Sequence, residues 1–143
     1  KLSKLLKRGW KNILKKPGLL FNHRNVSLKL QFDMNHGYNV LDKAINVMNI
    51  KDRENFRNFV NKNNSYNPHI MFVAKKDVLN RYFQAQFDWL TKCEEVFGFK
   101  NLKNYDQTRL YAFLAERFAS YWFKKYSKAI EWPWIVYEEN RKV

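Results

Sequence analysis

The chain has 143 residues, 45% hydrophobic and 17% aromatic, with a formal net charge of +14. That length supports one apolar core rather than two, and the aromatic content excludes a disordered polyelectrolyte. A single cysteine, Cys93, excludes an intrachain disulfide and a cysteine-rich metal site.

Nine of the fourteen net positive charges fall in residues 1–30, which contain no acid. A nucleic-acid-binding domain more often carries its charge on the folded body as well, so nucleic acid is disfavoured as a partner. No run of uncharged apolar residues is long enough to span a bilayer, and lysines interrupt the Leu-rich start too often for a secretory signal. The cytoplasm is the default compartment. The first residue is Lys1 rather than Met, as in a fragment or a processed chain.

Residues 1–16, KLSKLLKRGWKNILKK, place Leu2, Leu5, Leu6, Trp10, Ile13 and Leu14 on one helical face with lysines around the rest. Gly9 weakens this helix and Pro17-Gly18 ends it. Residues 1–24 are read as a basic amphipathic arm and residues 25–143 as one helix-rich domain. Leu28, Leu30 and Phe32 alternate as in a strand, yet also fit the start of a helix. Asn39 is placed to cap a helix over 40–50, and Asp52 a second one to about residue 62. NKNNSYNP (61–68) is a turn cluster, and HIMFVAKK (69–76) reads as a short buried strand. Asp77 is placed to cap the next helix. Its Leu79, Tyr82, Phe83, Phe87, Leu90, Cys93 and Phe97 recur at near-helical spacing, and Gly98 closes it where a left-handed residue is wanted. A further helix runs from about Asp106 to Lys128, and WIVYE after Pro133 reads as another short strand. The expected fold class is α/β, helix-dominated with two or three short strands.

NYDQTRLYAFLAERFASYWF (104–123) sets Arg109, Glu116 and Arg117 among Tyr111, Phe113, Phe118, Tyr121, Trp122 and Phe123. Seven residues of helix turn through nearly two full circles, so Arg109 and Glu116 share a face, with Arg117 on its flank. A carboxylate there needs a partner or water. It is either half of a structural ion pair, held by Arg109 or an arginine of a neighbouring element, or part of the rim of a cleft.

The stretches NPHIMFVAKKDVL (67–79), FDWLTKCEEVFGF (87–99) and DQTRLYAFLAERFASYWF (106–123) resemble a bacterial glycosyltransferase family of capsular polysaccharide, O-antigen and lipopolysaccharide biosynthesis, long catalogued as a domain of unknown function. QFDMNHGYNVLDKAINVM (31–48) is similar to that family's His-containing stretch, and Ile70 stands where its pattern has Asn. The resemblance implies a chain like the C-terminal, acceptor-side half of a GT-A-like nucleotide-sugar transferase, with a donor-binding half upstream. It implies a sugar nucleotide and a growing, lipid-linked glycan as substrates, and a place at the inner membrane. No Asp-x-Asp pair or Gly-rich phosphate loop is present, so no cofactor site is legible; a divalent metal would belong to the complete enzyme.

Glycosyl transfer needs a base near the acceptor hydroxyl in inverting enzymes and positive charge near the leaving diphosphate. Glu116 and Asp106 are the candidate catalytic carboxylates. Arg109, Arg117, His36 and His69 are the candidate substrate-binding residues. Asp106 equally suits a helix N-cap, His36 a loop and His69 a strand edge. Lys4, Lys7, Arg8, Trp10 and Lys11 of the arm suit an anionic membrane surface, or docking on the body. The competing functions are a nucleic-acid-binding module and a noncatalytic membrane-surface adaptor.

Overall fold

The computed structural model describes residues 2–15, 17–21, 26–100 and 105–133, without the side chains of Leu2, Lys4, Leu5, Leu19, Leu20 and Asp106. The described elements are eight α-helices and one 3-10 turn. They run α1 (Leu2–Arg8), α2 (Trp10–Lys15), the 3-10 turn (Pro17–Leu20), α3 (Leu28–His36), α4 (Val40–Asn46), α5 (Ile50–Lys62), α6 (Lys76–Phe97), α7 (Tyr105–Thr108) and α8 (Leu110–Tyr126).

No strand occurs among the described residues, which overturns the α/β expectation and the likeness to half of a GT-A-like fold. Of the segment expected as a buried strand, residues 69–76, the first seven are irregular chain leading into α6 and Lys76 is the first residue of that helix. Its side chains do alternate: Phe72 and Ala74 are half-buried, while Met71 and Val73 are exposed. An extended segment lying across helices produces the same period of two as a strand, but it has no neighbour with which to form a ladder. Phe72 anchors it by packing edge-on to Tyr82 at 5.4 Å and against Phe123 at 4.6 Å. Leu28, Leu30 and Phe32 belong to α3, where the Ser27 hydroxyl accepts from the Leu30 amide at 3.3 Å as an N-cap. The expected strand at 134–138 lies outside the described residues.

The aromatic core forms where α6 and α8 pack against each other in opposite directions. Near one end Tyr82 of α6 meets Trp122 of α8 at 5.4 Å; near the other the Tyr111 hydroxyl donates to the carbonyl of Gly98 at 2.8 Å. Gly98 has φ +61° and ψ −170°, a positive-φ conformation that favours glycine but not the left-handed helical one expected after α6. Helix α5 completes the centre, with Phe56 touching Trp89 at 5.5 Å, Phe118 at 6.0 Å and Tyr121 at 5.1 Å. Such tilted and edge-on pairs suit ring quadrupoles and bury large areas per residue. The polar atom of Trp89 is satisfied too, its indole donating to the Ala44 carbonyl of α4 at 2.7 Å.

Two expected caps do other work. Helix α5 starts from Asn49, whose side chain accepts from the Lys51 amide, so Asp52 stands inside the first turn. Helix α6 starts from Lys75, with Asp77 in its first turn. Asn39 does precede α4, in a left-handed conformation and without a side-chain capping bond. The long helix expected from Asp106 is broken at Arg109 (φ −100°, ψ 15°) into α7 and α8. The expected 1–16 helix is likewise broken at Gly9 into α1 and α2.

Candidate functional site

Helix α8 presents Arg109, Phe113, Glu116 and Arg117 toward the end of α3 and the loop that follows α5. Its Phe113 ring is the meeting point. His36, the last residue of α3, stacks on it with centroids 3.9 Å apart. The guanidinium carbons of Arg109 and Arg117 lie 5.5 and 5.9 Å from its centroid. Three of the four substrate-binding candidates therefore gather around one ring.

The ion pair differs from the one the helical spacing suggested. Arg109 does not hold Glu116: its guanidinium bonds the Tyr105 hydroxyl and lies over the Tyr105 ring, exposed to solvent. The break at Arg109 takes this residue out of the regular turn that would have stacked it two turns below Glu116. Arg117 takes the pairing role, donating to the Glu116 carboxylate at 3.1 Å and to the Phe113 carbonyl at 3.1 Å. The guanidinium is nearly sealed, with its carbon 4.2 Å from the Tyr66 centroid and 5.2 Å from that of Phe32. Burial pulls the Arg117 pKa down, while Tyr66 and Glu116 pull it back. The same burial raises Tyr66, with the Arg117 charge opposing and the Glu116 charge reinforcing the shift.

Arg117 therefore joins α3, α8 and the 63–75 loop, whereas Glu116 keeps a side chain 13% exposed beside it. The more deeply buried charge has the greater need of a partner, so this pair is anchored from the arginine side. Arg117 Nε finds no hydrogen-bond acceptor even so.

The loop is tied to α8 next to this cluster. The Asn67 amide donates to the Ser120 hydroxyl at 3.0 Å, and the Asn67 side chain donates to Glu131 at 3.3 Å. His69 follows two residues later, exposed and left-handed at φ 64°, away from the strand edge expected for it. Asp106 stands in α7, and its side chain is outside the described set. Tyr66 and Phe113 are the members that sequence reasoning missed. The signal for Tyr66 was there: it is a ring inside an otherwise polar turn cluster.

A second polar cluster sits at the far end of α8. One oxygen of Asp52 accepts from the Tyr121 hydroxyl at 2.7 Å, the Tyr126 hydroxyl at 2.8 Å and the Lys125 ammonium at 2.8 Å. Burial pushes the Asp52 carboxyl up, but the bonds from Lys125, Tyr121 and Tyr126 outweigh it and hold the pKa below the usual value. An open groove of about 310 Å³ adjoins this cluster, lined among others by Asn55, Asn58, Phe59, Lys62 and Lys124; neither Glu116 nor Arg109 reaches it. A third cluster joins α3, α4 and α5. Buried Asp33 accepts from Lys29 at 2.8 Å and from the Asn39 amide at 3.1 Å, and Lys29 also pairs with Asp42 at 2.8 Å. Among the described residues, no group of three His, Cys, Asp or Glu side chains could hold a metal ion.

No curated protein and no solved structure matches the chain. The profile of a family described as a domain of unknown function (DUF4422) matches residues 2–128. That span covers most of the sequence, and the chain belongs to the DUF4422 family.

Proposed function

We propose that this domain forms the acceptor side of a cytoplasmic glycosyltransferase that passes a sugar from a nucleotide-sugar donor to a growing bacterial surface glycan. The observation that carries the reading is the gathering of His36, Arg109 and Arg117 about Phe113, with the part-exposed Glu116 carboxylate at their edge. The family resemblance of residues 106–123 supplies the reaction class.

Each residue has a role suited to its exposure. Glu116 accepts the proton of the attacking acceptor hydroxyl, since it is the carboxylate of the cluster that reaches solvent. Arg117 is too buried to meet substrate and is a positioning residue that fixes the Glu116 carboxylate by their 3.1 Å contact. Arg109, exposed on its tyrosine support, offers charge to a phosphate of donor or lipid-linked acceptor. His36 stacks on the Phe113 ring at 3.9 Å, at the end of α3.

Nucleic-acid binding by the folded body is disfavoured because several of its cations are already neutralised, in the Lys29–Asp42, Arg57–Glu54 and Lys125–Asp52 pairs. The test is to incubate the full-length gene product with a panel of nucleotide sugars and a lipid-linked glycan acceptor, and to follow nucleotide release. The expected result is acceptor-dependent release, with Arg109→Ala lowering kcat/KM by about tenfold or more without a fall in Tm, given its exposed place. No consumption of any donor, or full activity of Arg109→Ala, would overturn the assignment.

A further inference from the structure

Among its described side chains, the N-terminal segment packs on the body through part of its surface. Ile13 of α2 joins Val26, Leu30 and Met34 in a small apolar cluster, and Gly9 between α1 and α2 is buried. Leu6 and Trp10 are each 52% exposed, Leu14 is 72% exposed and Phe21 91%. Trp10 and Leu14 stand one turn apart on α2, on the same face. Exposed Lys7, Arg8, Lys11 and Lys15 flank these side chains, and residues 1–30 contain no acid to offset them. The Lys11 and Lys15 ammonium nitrogens lie over the Tyr38 ring at 5.5 and 5.4 Å, which holds these two charges against the body beside the exposed apolar side chains.

We propose that the exposed side chains Leu6, Trp10, Leu14 and Phe21, together with the exposed cations beside them, seat the domain on an anionic lipid bilayer. Aliphatic and aromatic side chains enter the headgroup region while lysine and arginine meet lipid phosphates. The charge pattern selects an anionic occupant, and the exposed leucines distinguish lipid from nucleic acid. A phosphate backbone gives Leu6 and Leu14 nothing to bury against, whereas a bilayer does. No described helix is long and apolar enough to cross a membrane, so the contact is peripheral. Binding of this kind requires no catalysis, and its test does not depend on the glycosyltransferase reading.

The experiment is co-sedimentation of the 143-residue chain with vesicles of phosphatidylcholine alone, or containing about a third phosphatidylglycerol. The expected result is binding at least about tenfold tighter to the anionic vesicles, weakened by salt. The combined variant Leu6→Ser, Trp10→Ser, Leu14→Ser should lose about tenfold or more of that affinity, with Tm and far-ultraviolet circular dichroism unchanged, because these side chains are exposed. Lys7→Gln with Arg8→Gln should remove the preference for anionic lipid in part. Three results would overturn the proposal: equal binding to both vesicle types, anionic binding undiminished in the serine variant, or duplex DNA displacing the wild-type chain from the anionic vesicles.

Discussion

Replacing Arg117 by alanine tests the cluster at its most buried point. Arg117 is 3% exposed and contacts the Glu116 carboxylate, the Phe113 carbonyl, the faces of Tyr66 and Phe32 and, at 5.9 Å, that of Phe113. Each desolvated cation–ring contact contributes about 1–2 kcal/mol, and each charged hydrogen bond about 1.5–3 kcal/mol. Against these stand the several kcal/mol needed to bury a guanidinium and roughly 1–3 kcal/mol for the unsatisfied Nε. The two sides nearly cancel for the intact pair, but truncation also leaves a void and a carboxylate without its cation. Removing one member of a buried pair costs about 3–5 kcal/mol, and partial exposure of Glu116 places this case near 3 kcal/mol.

The assay is urea denaturation followed by circular dichroism at 222 nm. Arg117→Ala should shift the midpoint downward at constant m, with Tm about 10 °C lower. The double variant Glu116→Gln, Arg117→Met should retain stability within about 1 kcal/mol of wild type, because the methionine fills the slot and neither charge is left alone. A loss below about 1 kcal/mol for Arg117→Ala would show that the guanidinium is not held between Tyr66 and Phe32, and the positioning role would fall with it.

Asp52→Asn should destabilise by about 2 kcal/mol near neutral pH, through weakened bonds from Tyr121, Tyr126 and Lys125. Because the folded Asp52 pKa is depressed, its contribution is full above the ordinary value of 3.8 and disappears as pH falls through the lower folded value. The difference between wild type and variant should therefore shrink between pH 6 and pH 3 in denaturation titrations, and a difference that grew on acidification would refute the cluster. Cys93, fully buried with its thiol pushed up to about 12 by burial first and by Glu94 second, should not react with Ellman's reagent until urea unfolds the chain. Gly98→Ala should cost about 1 kcal/mol in the same unfolding experiment, since a side chain at φ +61° is strained even though nothing crowds the added carbon.

The helices were legible wherever apolar residues recur over several turns. Tyr82 and Cys93 of the expected α6 stripe are buried, as are Leu114, Phe118 and Tyr121 of α8, but Phe83 and Phe87 of that stripe are 40% and 58% exposed and Trp89, outside it, is buried instead. The positive φ of Gly98 was legible because that backbone requirement is local. The segment 69–76 was not, since alternation describes any extended chain lying on an apolar surface and does not say whether a neighbouring strand exists. Asp52 was not either: an acid at a helix start looks like a cap, and the Tyr121, Tyr126 and Lys125 side chains that claim it lie 69 to 74 residues away. The candidate site was half visible. Charges among rings in residues 104–123 marked it, but the choice of Arg117 over Arg109 depends on a helix break at Arg109 and on Tyr66 arriving from another loop. Ideal helical geometry cannot anticipate either.

The sharpest test asks whether Glu116 serves chemistry or merely balances Arg117. Glu116→Gln, made in the full-length gene product, is to be measured for both sugar transfer and Tm in the same preparation. A carboxylate that takes the acceptor proton predicts a fall in kcat of about 100-fold or more, with Tm within a few degrees of wild type. Unchanged transfer, or a loss of transfer that merely follows a collapse of the fold, would contradict it and leave the pair as a purely structural tie.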